Sequence, residues 1–199
     1  LKGLRFDDLT LAKYRTELDK KSPEVTLFSP SGFGEVYFTE FGWVSDDPTV
    51  TLPNKDTEWK TDAKEIIPDQ PVVLSWQNPQ GIRFEVKITL DAQYLFTVEQ
   101  RVINQSGEEL RVQPYAFINR FFSKDHVTNY ILHERPIGVF GEQLKEETYK
   151  KLREDKEIHM DDARWLGITD KYWQSALIPT AQSVSAKFSH YESKGRDRY

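Results

Sequence analysis

Ile82-Arg83-Phe84-Glu85-Val86-Lys87-Ile88-Thr89-Leu90 alternates without a break. Ile82, Phe84, Val86, Ile88 and Leu90 fall on one face of an extended chain, and Arg83, Glu85, Lys87 and Thr89 fall on the other. Successive side chains of a strand point to opposite faces, so this period of two predicts a half-buried antiparallel strand. Asp91-Ala92-Gln93 supplies a turn, and Tyr94, Phe96, Val98 and Val102 carry the same period back to Asn104. The two runs form one long hairpin. A further turn from Asn104 to Glu108 leads into a third strand, from Leu110 towards Phe122. Pro114 interrupts it and predicts a bulge or an edge position, because proline cannot donate to a ladder.

Outward from this hairpin the chain keeps the same character. Upstream runs at Leu4 to Phe6, Leu9 to Tyr14, Val25 to Phe28, Val36 to Val44 and Val72 to Trp76 are separated by clusters rich in Ser, Pro, Gly, Asp and Asn. Many strands at short spacing predict an all-β sandwich or barrel. Between Asp46 and Pro71 the sequence is polar, with Trp59 its one large anchor, and reads as a surface excursion carrying two short strands. Downstream, Arg164 to Pro179 places two tryptophans and a tyrosine around the turn residues Thr169-Asp170-Lys171, which predicts a hairpin with a large aromatic burial. After Pro179, the residues Val184, Ala186, Phe188 and His190 share one strand face, and the chain runs into a polar tail from Ser193 to Tyr199. Helical periodicity is confined to Glu142 to Asp155, where Leu144, Tyr149 and Leu152 are apolar among charges, a pattern for a short surface helix.

With 199 residues, 38% of them hydrophobic, the chain suffices for one full core and is short for two, so residues 1–199 read as a single domain. The 27 basic residues are scattered among 32 acidic ones, for a net charge of −5, and form no stripe that would suit nucleic acid. Cysteine is absent, which excludes disulfides, thiolate nucleophiles and cysteine-bearing zinc sites. No apolar run approaches the roughly 18 residues that span a bilayer. The opening Leu1-Lys2-Gly3 has no initiator methionine and reads as the start of an excised domain or processed product.

Catalytic patterns are wanting. His126, His133, His159 and His190 form no close pair of metal-ligand spacing. Ser29-Pro30-Ser31-Gly32-Phe33-Gly34 lacks both the strand-to-helix context of a nucleophile elbow and the lysine of a phosphate loop, and reads as a turn. The doublets Asp7-Asp8, Asp46-Asp47, Glu108-Glu109, Glu146-Glu147 and Asp161-Asp162 put neighbouring carboxylates on opposite faces of a strand, a poor arrangement for an acid and base pair. No cofactor, metal or catalytic residue is expected, and the residues give no support to an enzyme.

Several segments taken together carry a family resemblance. They are Lys2-Gly3-Leu4-Arg5-Phe6-Asp7-Asp8-Leu9, the strand between Pro23 and Pro30, Tyr37-Phe38-Thr39-Glu40-Phe41-Gly42-Trp43-Val44, the hairpin through Asn104, the spacing of Pro, Gly and Tyr from Arg135 to Tyr149, and Arg164 to Pro179. This set resembles the large periplasmic domain of the YidC family of bacterial inner-membrane protein insertases, in its longer Gram-negative form, over nearly the whole chain. The resemblance implies a β-supersandwich of stacked antiparallel sheets, galactose mutarotase-like, with one or two short helices. It implies a periplasmic location in a full-length protein anchored in the inner membrane. The chain would then be a fragment lacking the flanking transmembrane segments and the C-terminal end of the domain, and an exposed sheet edge is expected.

The implied role is that of an accessory domain. It would not itself perform insertion. It would bind the Sec translocon subunits SecD and SecF, or extended segments of nascent membrane proteins through the full-length protein, by a groove or a sheet edge. A carbohydrate-binding or mutarotase-like enzyme is the alternative that the fold class suggests, but fold alone does not give function. A structural spacer is a third. Candidate contact residues are Phe41 and Trp43 in the aromatic segment and Glu142 and Tyr149 in the helical window.

Overall fold

The computed structural model describes residues 2–30, 36–93, 95–123, 134–181, 184–193 and 196–199. In chain order the strands are β1 (Arg5–Phe6), β2 (Leu9–Arg15), β3 (Glu24–Phe28), β4 (Tyr37–Val44), β5 (Val72–Gln77), β6 (Ile82–Leu90), β7 (Phe96–Asn104) and β8 (Gln113–Ser123). They continue as β9 (Pro136–Phe140), β10 (Gln143–Glu146), β11 (Glu157–Met160), β12 (Ala163–Thr169), β13 (Gln174–Leu177), β14 (Ala186–Ser189), β15 (Tyr191–Ser193) and β16 (Arg196–Arg198), with the helix α1 (Tyr149–Asp155) between β10 and β11. The fold is all-β, built of several antiparallel sheets, as the alternation predicts. Two compact units divide the chain: one takes Leu1–Leu4 and Phe41–Tyr115, the other Arg5–Glu40 and Ala116–Tyr199.

The first unit is organised by the hairpin that opened the sequence. β6 pairs with β5 on one side and with β7 on the other, with Val72 opposite Ile88 and Phe84 opposite Val102. The predicted face of β6 is the buried one: Ile82, Phe84, Val86, Ile88 and Leu90 all lie in the core. Trp43 packs edge-on against Phe84 with ring centroids 5.1 Å apart, and Trp59 lies 6.3 Å from Trp43. Full burial of rings of this size contributes on the order of 2–3 kcal/mol each. Trp59 therefore anchors the polar excursion as expected, but the excursion forms isolated bridges, Lys2 to Glu58 and Lys60 to Ser75, in place of two short strands. Pro48, Pro53, Pro68 and Pro71 each remove a donor and interrupt regular pairing along this run. Asp91 closes the hairpin by accepting at Oδ1 from the amides of Gln93 and Leu95, each at 2.8 Å. Tyr94 lies outside the described residues. Gly42 is required where it stands, since a Cβ there would lie 2.5 Å from the Tyr115 hydroxyl.

The remaining sheets belong to the second unit, except that β4 from Phe41 onward and β8 up to Tyr115 are counted in the first. Around β1, β4, β8, β16 and β15 a five-stranded order is formed, in which Arg5 stands opposite Glu40 and Arg198 opposite Phe121. β8 begins at Gln113, later than expected, so that Pro114 falls in its first residues, where the missing amide costs little. A four-stranded sheet runs β10, β9, β12, β13, and two-stranded pairs join β11 to β14 and β2 to β3. One core cluster gathers Phe28, Tyr37 and Ile168, with Phe6, Leu9, Leu27 and Ile118 packed against it. Another gathers Phe140, Tyr149, Leu152, Ala163, Phe188 and Tyr199.

Two expectations in this unit need correction. The hairpin of β12 and β13 is present, with Gly167 opposite Ala176, and a Cβ on Gly167 would meet the Ser175 carbonyl oxygen at 2.1 Å. Its aromatic residues, however, are not buried as a group: Trp165 and Trp173 are half-buried and Tyr172 is exposed, because the turn projects the last two beyond the sheet. The helical window is shorter than its charge pattern suggests. Gln143–Glu146 is the strand β10, and only Tyr149–Asp155 is helical. Thr148 starts the helix, its side chain accepting from the amide of Lys151 at 3.1 Å, and Lys156 stops it at φ 68°.

Candidate functional site

β4 carries two of the predicted contact residues and shows where they go. Alternation along the strand sends Trp43 into the core of the first unit, 4% exposed, while Phe41 is half-buried and Val44, the last residue of the strand, is 50% exposed. Trp43 is thus a packing residue, and the accessible apolar side chain is its neighbour. Glu142 is exposed at the turn between β9 and β10, and Tyr149 is 4% exposed on the inner face of α1 beside Leu152. The structure does not bring these four residues onto one accessible surface.

Val44 opens into a shallow groove of about 360 Å3 in the first unit, lined by Val44, Ser45 and Asp46 on one side and by Leu110, Arg111, Val112 and Gln113 on the other. Its walls are held by hydrogen bonds that follow from the polar turn after β4. The Ser45 hydroxyl donates to the Arg111 carbonyl at 2.7 Å and accepts from the Asp47 amide at 3.1 Å. Asp47 accepts at Oδ1 from the hydroxyl and amide of Thr49, bonds that hold its carboxyl below the usual carboxylate range. Val44, Leu110 and Val112 supply an apolar floor, and Asp46, Arg111 and Gln113 a polar rim. That composition suits an extended segment with alternating apolar side chains. None of the described residues that line the groove is aromatic.

Strand β7 is one of several sheet-edge strands among the described residues. It displays Glu99 and Arg101 in exposed positions, and charges on an edge strand discourage pairing with another chain. The groove is the better seat.

Two buried polar clusters lie in the second unit. In the first, the Arg120 guanidinium pairs with Asp170 at 2.6 Å and stacks 4.8 Å from the Tyr37 ring, whose hydroxyl is hydrogen-bonded to that of Ser175. Burial alone would make Arg120 easier to deprotonate, but Asp170 beside it, together with Tyr149 and Tyr37, offsets this and leaves its pKa raised. In the second, His190 Nε2 lies 2.9 Å from Asp197 Oδ1, and Arg153 reaches Asp197 at 3.4 Å and donates to the Tyr199 hydroxyl at 2.7 Å. Burial pushes against the Asp197 carboxylate, yet the hydrogen bond and charge of His190 and the charge of Arg153 hold its pKa below the usual range.

A histidine and carboxylate couple can in principle move a proton, but it must first reach a substrate. His190 and Asp197 are both buried, and His190 stacks 5.0 Å from Tyr199. His190 and Arg153 meet at Asp197, which ties β16 to α1. His159 is exposed beside Glu157, at 3.1 Å. His126, His133 and the stretch Ser31 to Gly34 lie outside the described residues. Among the described residues no group of three or more potential ligands converges on a metal position.

Sequence reading missed Leu110, Val112 and Val44 because each is an ordinary apolar residue at a strand end. It also passed over Arg120. An arginine in the apolar run Tyr115 to Phe122 is itself a signal of a buried ion pair, but its partner is 50 residues away and invisible to local pattern.

Comparison with known proteins adds an independent line. The model of the YidC periplasmic domain family matches residues 1–199. Membrane protein insertase YidC of Rickettsia bellii (strain OSU 85-389) is 46% identical over 202 residues, covering 100% of this chain and 36% of that protein. The protein of the same name from Rickettsia massiliae (strain Mtu5) is 47% identical over the same coverage, and that of Rickettsia typhi (strain ATCC VR-144 / Wilmington) is 46% identical. The chain spans about a third of the length of these relatives.

Proposed function

Because this chain belongs to the YidC periplasmic domain family, we propose that it is a non-catalytic accessory domain of a membrane protein insertase, one that holds extended segments of protein partners in the groove at the end of β4. The partners are periplasmic parts of the Sec translocon, SecD and SecF, or nascent membrane proteins presented to the full-length protein. The observation that carries this reading is the groove itself, with Val44 exposed and Leu110 and Val112 half-buried beside Asp46, Arg111 and Gln113. An extended chain seated there buries alternate apolar side chains and leaves the intervening ones to Asp46, Arg111 and Gln113. The contact area is small, so affinity is weak on its own and is raised in the full-length protein by tethering.

The test is an NMR titration of this chain with the periplasmic part of SecF, with an extended peptide of alternating leucine and serine, and with a simple hexose. Saturable shifts at residues 44–46 and 110–113 with SecF or the peptide, weakened about tenfold by Val44→Asp, are expected. Shifts confined to other residues, or saturation by the hexose alone, would remove the groove from consideration.

A further inference from the structure

We propose that the second unit carries a docking tip for an anionic lipid surface, formed by the turn between β2 and β3 together with the turn between β12 and β13. The two turns are brought together by Tyr14, near the end of β2, whose ring meets that of Trp173 edge-on at 4.9 Å. Around this contact the apolar side chains face outward. Tyr14 is 55% exposed, Tyr172 is 72% exposed, and Leu18 at the apex of the first turn is fully exposed.

The display is fixed. Ser22 clamps the first turn, its hydroxyl donating to the Asp19 carbonyl at 2.6 Å and accepting from the Glu17 amide at 3.2 Å, while the Thr16 amide reaches the Pro23 carbonyl at 3.0 Å. Leu18 is thereby held away from the unit's own core, a placement that costs the burial it would otherwise gain. A single exposed leucine is ordinary on a protein surface. A leucine at the apex of a pinned turn whose base sets Tyr14 against Trp173, with Tyr172 exposed next in chain to that tryptophan, combines an apolar tip with amphipathic rings, the composition favoured at the boundary between water and lipid.

Charge selects the occupant. Arg15 is neutralised by Glu24 at 2.9 Å, and Asp170 by Arg120 at 2.6 Å. That leaves Lys13, Lys20, Lys21 and Lys171 against Glu17, Asp19 and the Glu134 carboxylate near Lys171, a tip that stays net positive on a chain of net charge −5. Lys171 lies 4.7 Å over the ring of Tyr172, so cation and aromatic face project together. An anionic bilayer satisfies both features at once, since headgroups attract the lysines and the interface accepts Leu18 and the rings. The residues of the tip all belong to the second unit and those of the groove to the first, and the proposal does not depend on the groove.

The experiment is sedimentation of the chain with vesicles of phosphatidylethanolamine and phosphatidylglycerol, beside vesicles of phosphatidylcholine alone, at low and high salt. Binding to the anionic vesicles that weakens with salt is expected. It should fall about tenfold in a Leu18→Ser, Tyr172→Ser variant, and about fivefold for each of Lys20→Glu and Lys21→Glu. Leu144→Ser, at an exposed leucine on β10, should leave it unchanged. Lipids brominated near the headgroup should quench part of the tryptophan fluorescence, and Trp173→Phe should remove that part. All these positions are on the surface, and circular dichroism of each variant separates lost binding from lost fold. Absence of binding to anionic vesicles, equal binding by the Leu18→Ser, Tyr172→Ser variant, or self-association through the tip in place of lipid binding would overturn the proposal.

Discussion

Tyr199 has its hydroxyl against Arg153 and its ring 4.4 Å from that of Tyr149, and the packing around both rings makes the charged phenolate costly. Burial pushes the Tyr199 hydroxyl up to about 12 and raises those of Tyr149 and Tyr37 as well. A pKa raised in the folded state gives stability that is complete below the unfolded value, about 10 for tyrosine, and lost as pH climbs towards the folded one. Asp197 acts in the opposite sense: its lowered pKa stabilises the fold above about pH 4 and ceases to do so as acid protonates it. Urea unfolding followed by circular dichroism across pH should therefore show a broad maximum with an alkaline loss beginning near pH 10. Tyr199→Phe should flatten the alkaline limb, although it also loses the bond from Arg153. Asp197→Asn should flatten the acid limb and leave the alkaline one intact. At this scale the sequence is a poor guide, because a tyrosine in a polar tail gives no sign of being buried by a helix 50 residues earlier.

Among the elements, α1 is the one whose ends decide its existence. Seven residues are too few for an isolated helix, and it persists because Tyr149 and Leu152 are buried and Thr148 caps its first turn. Lys156 ends it with φ 68°, a left-handed backbone that a side chain disfavours, while its amide donates to the Leu152 carbonyl at 2.9 Å. Lys156→Gly is expected to stabilise the protein by about 1 kcal/mol, and Thr148→Ala to destabilise it by about 1 kcal/mol. Paired thermal melts of the two variants would check both signs. The long hairpin of β6 and β7 is legible in the sequence, since nine alternating residues leave one register that buries all five apolar side chains. The helix was not, because Gln143–Glu146 mixes one leucine with charges and reads equally as strand or helix until β9 is beside it. Tyr149, named from the sequence as a candidate contact residue in that window, belongs to the core.

In the whole molecule, neither unit is a continuous piece of chain. The first joins Leu1–Leu4 to Phe41–Tyr115, through such contacts as the Gly3 amide to the Thr57 carbonyl at 2.9 Å, and the second joins Arg5–Glu40 to Ala116–Tyr199. Pairings such as β1 with β4, β16 with β8 and β14 with β11 must each close a long loop before any ladder forms. Refolding in the range of milliseconds to seconds is expected, and stopped-flow tryptophan fluorescence would measure it; a microsecond phase carrying the full amplitude would contradict this topology. What the sequence determined by itself was the all-β class, the central hairpin, the absence of a thiol chemistry and, through an ensemble of short segments, the family. These rest on local period and residue type, which act over a few neighbours. The tertiary structure alone decided that Trp43 is core and Val44 surface, that Arg120 meets Asp170, and that Tyr14 and Trp173 gather two turns into one tip. Each of those depends on which distant strand lies across the sheet, and side-chain burial is a property of that pairing and not of the residue.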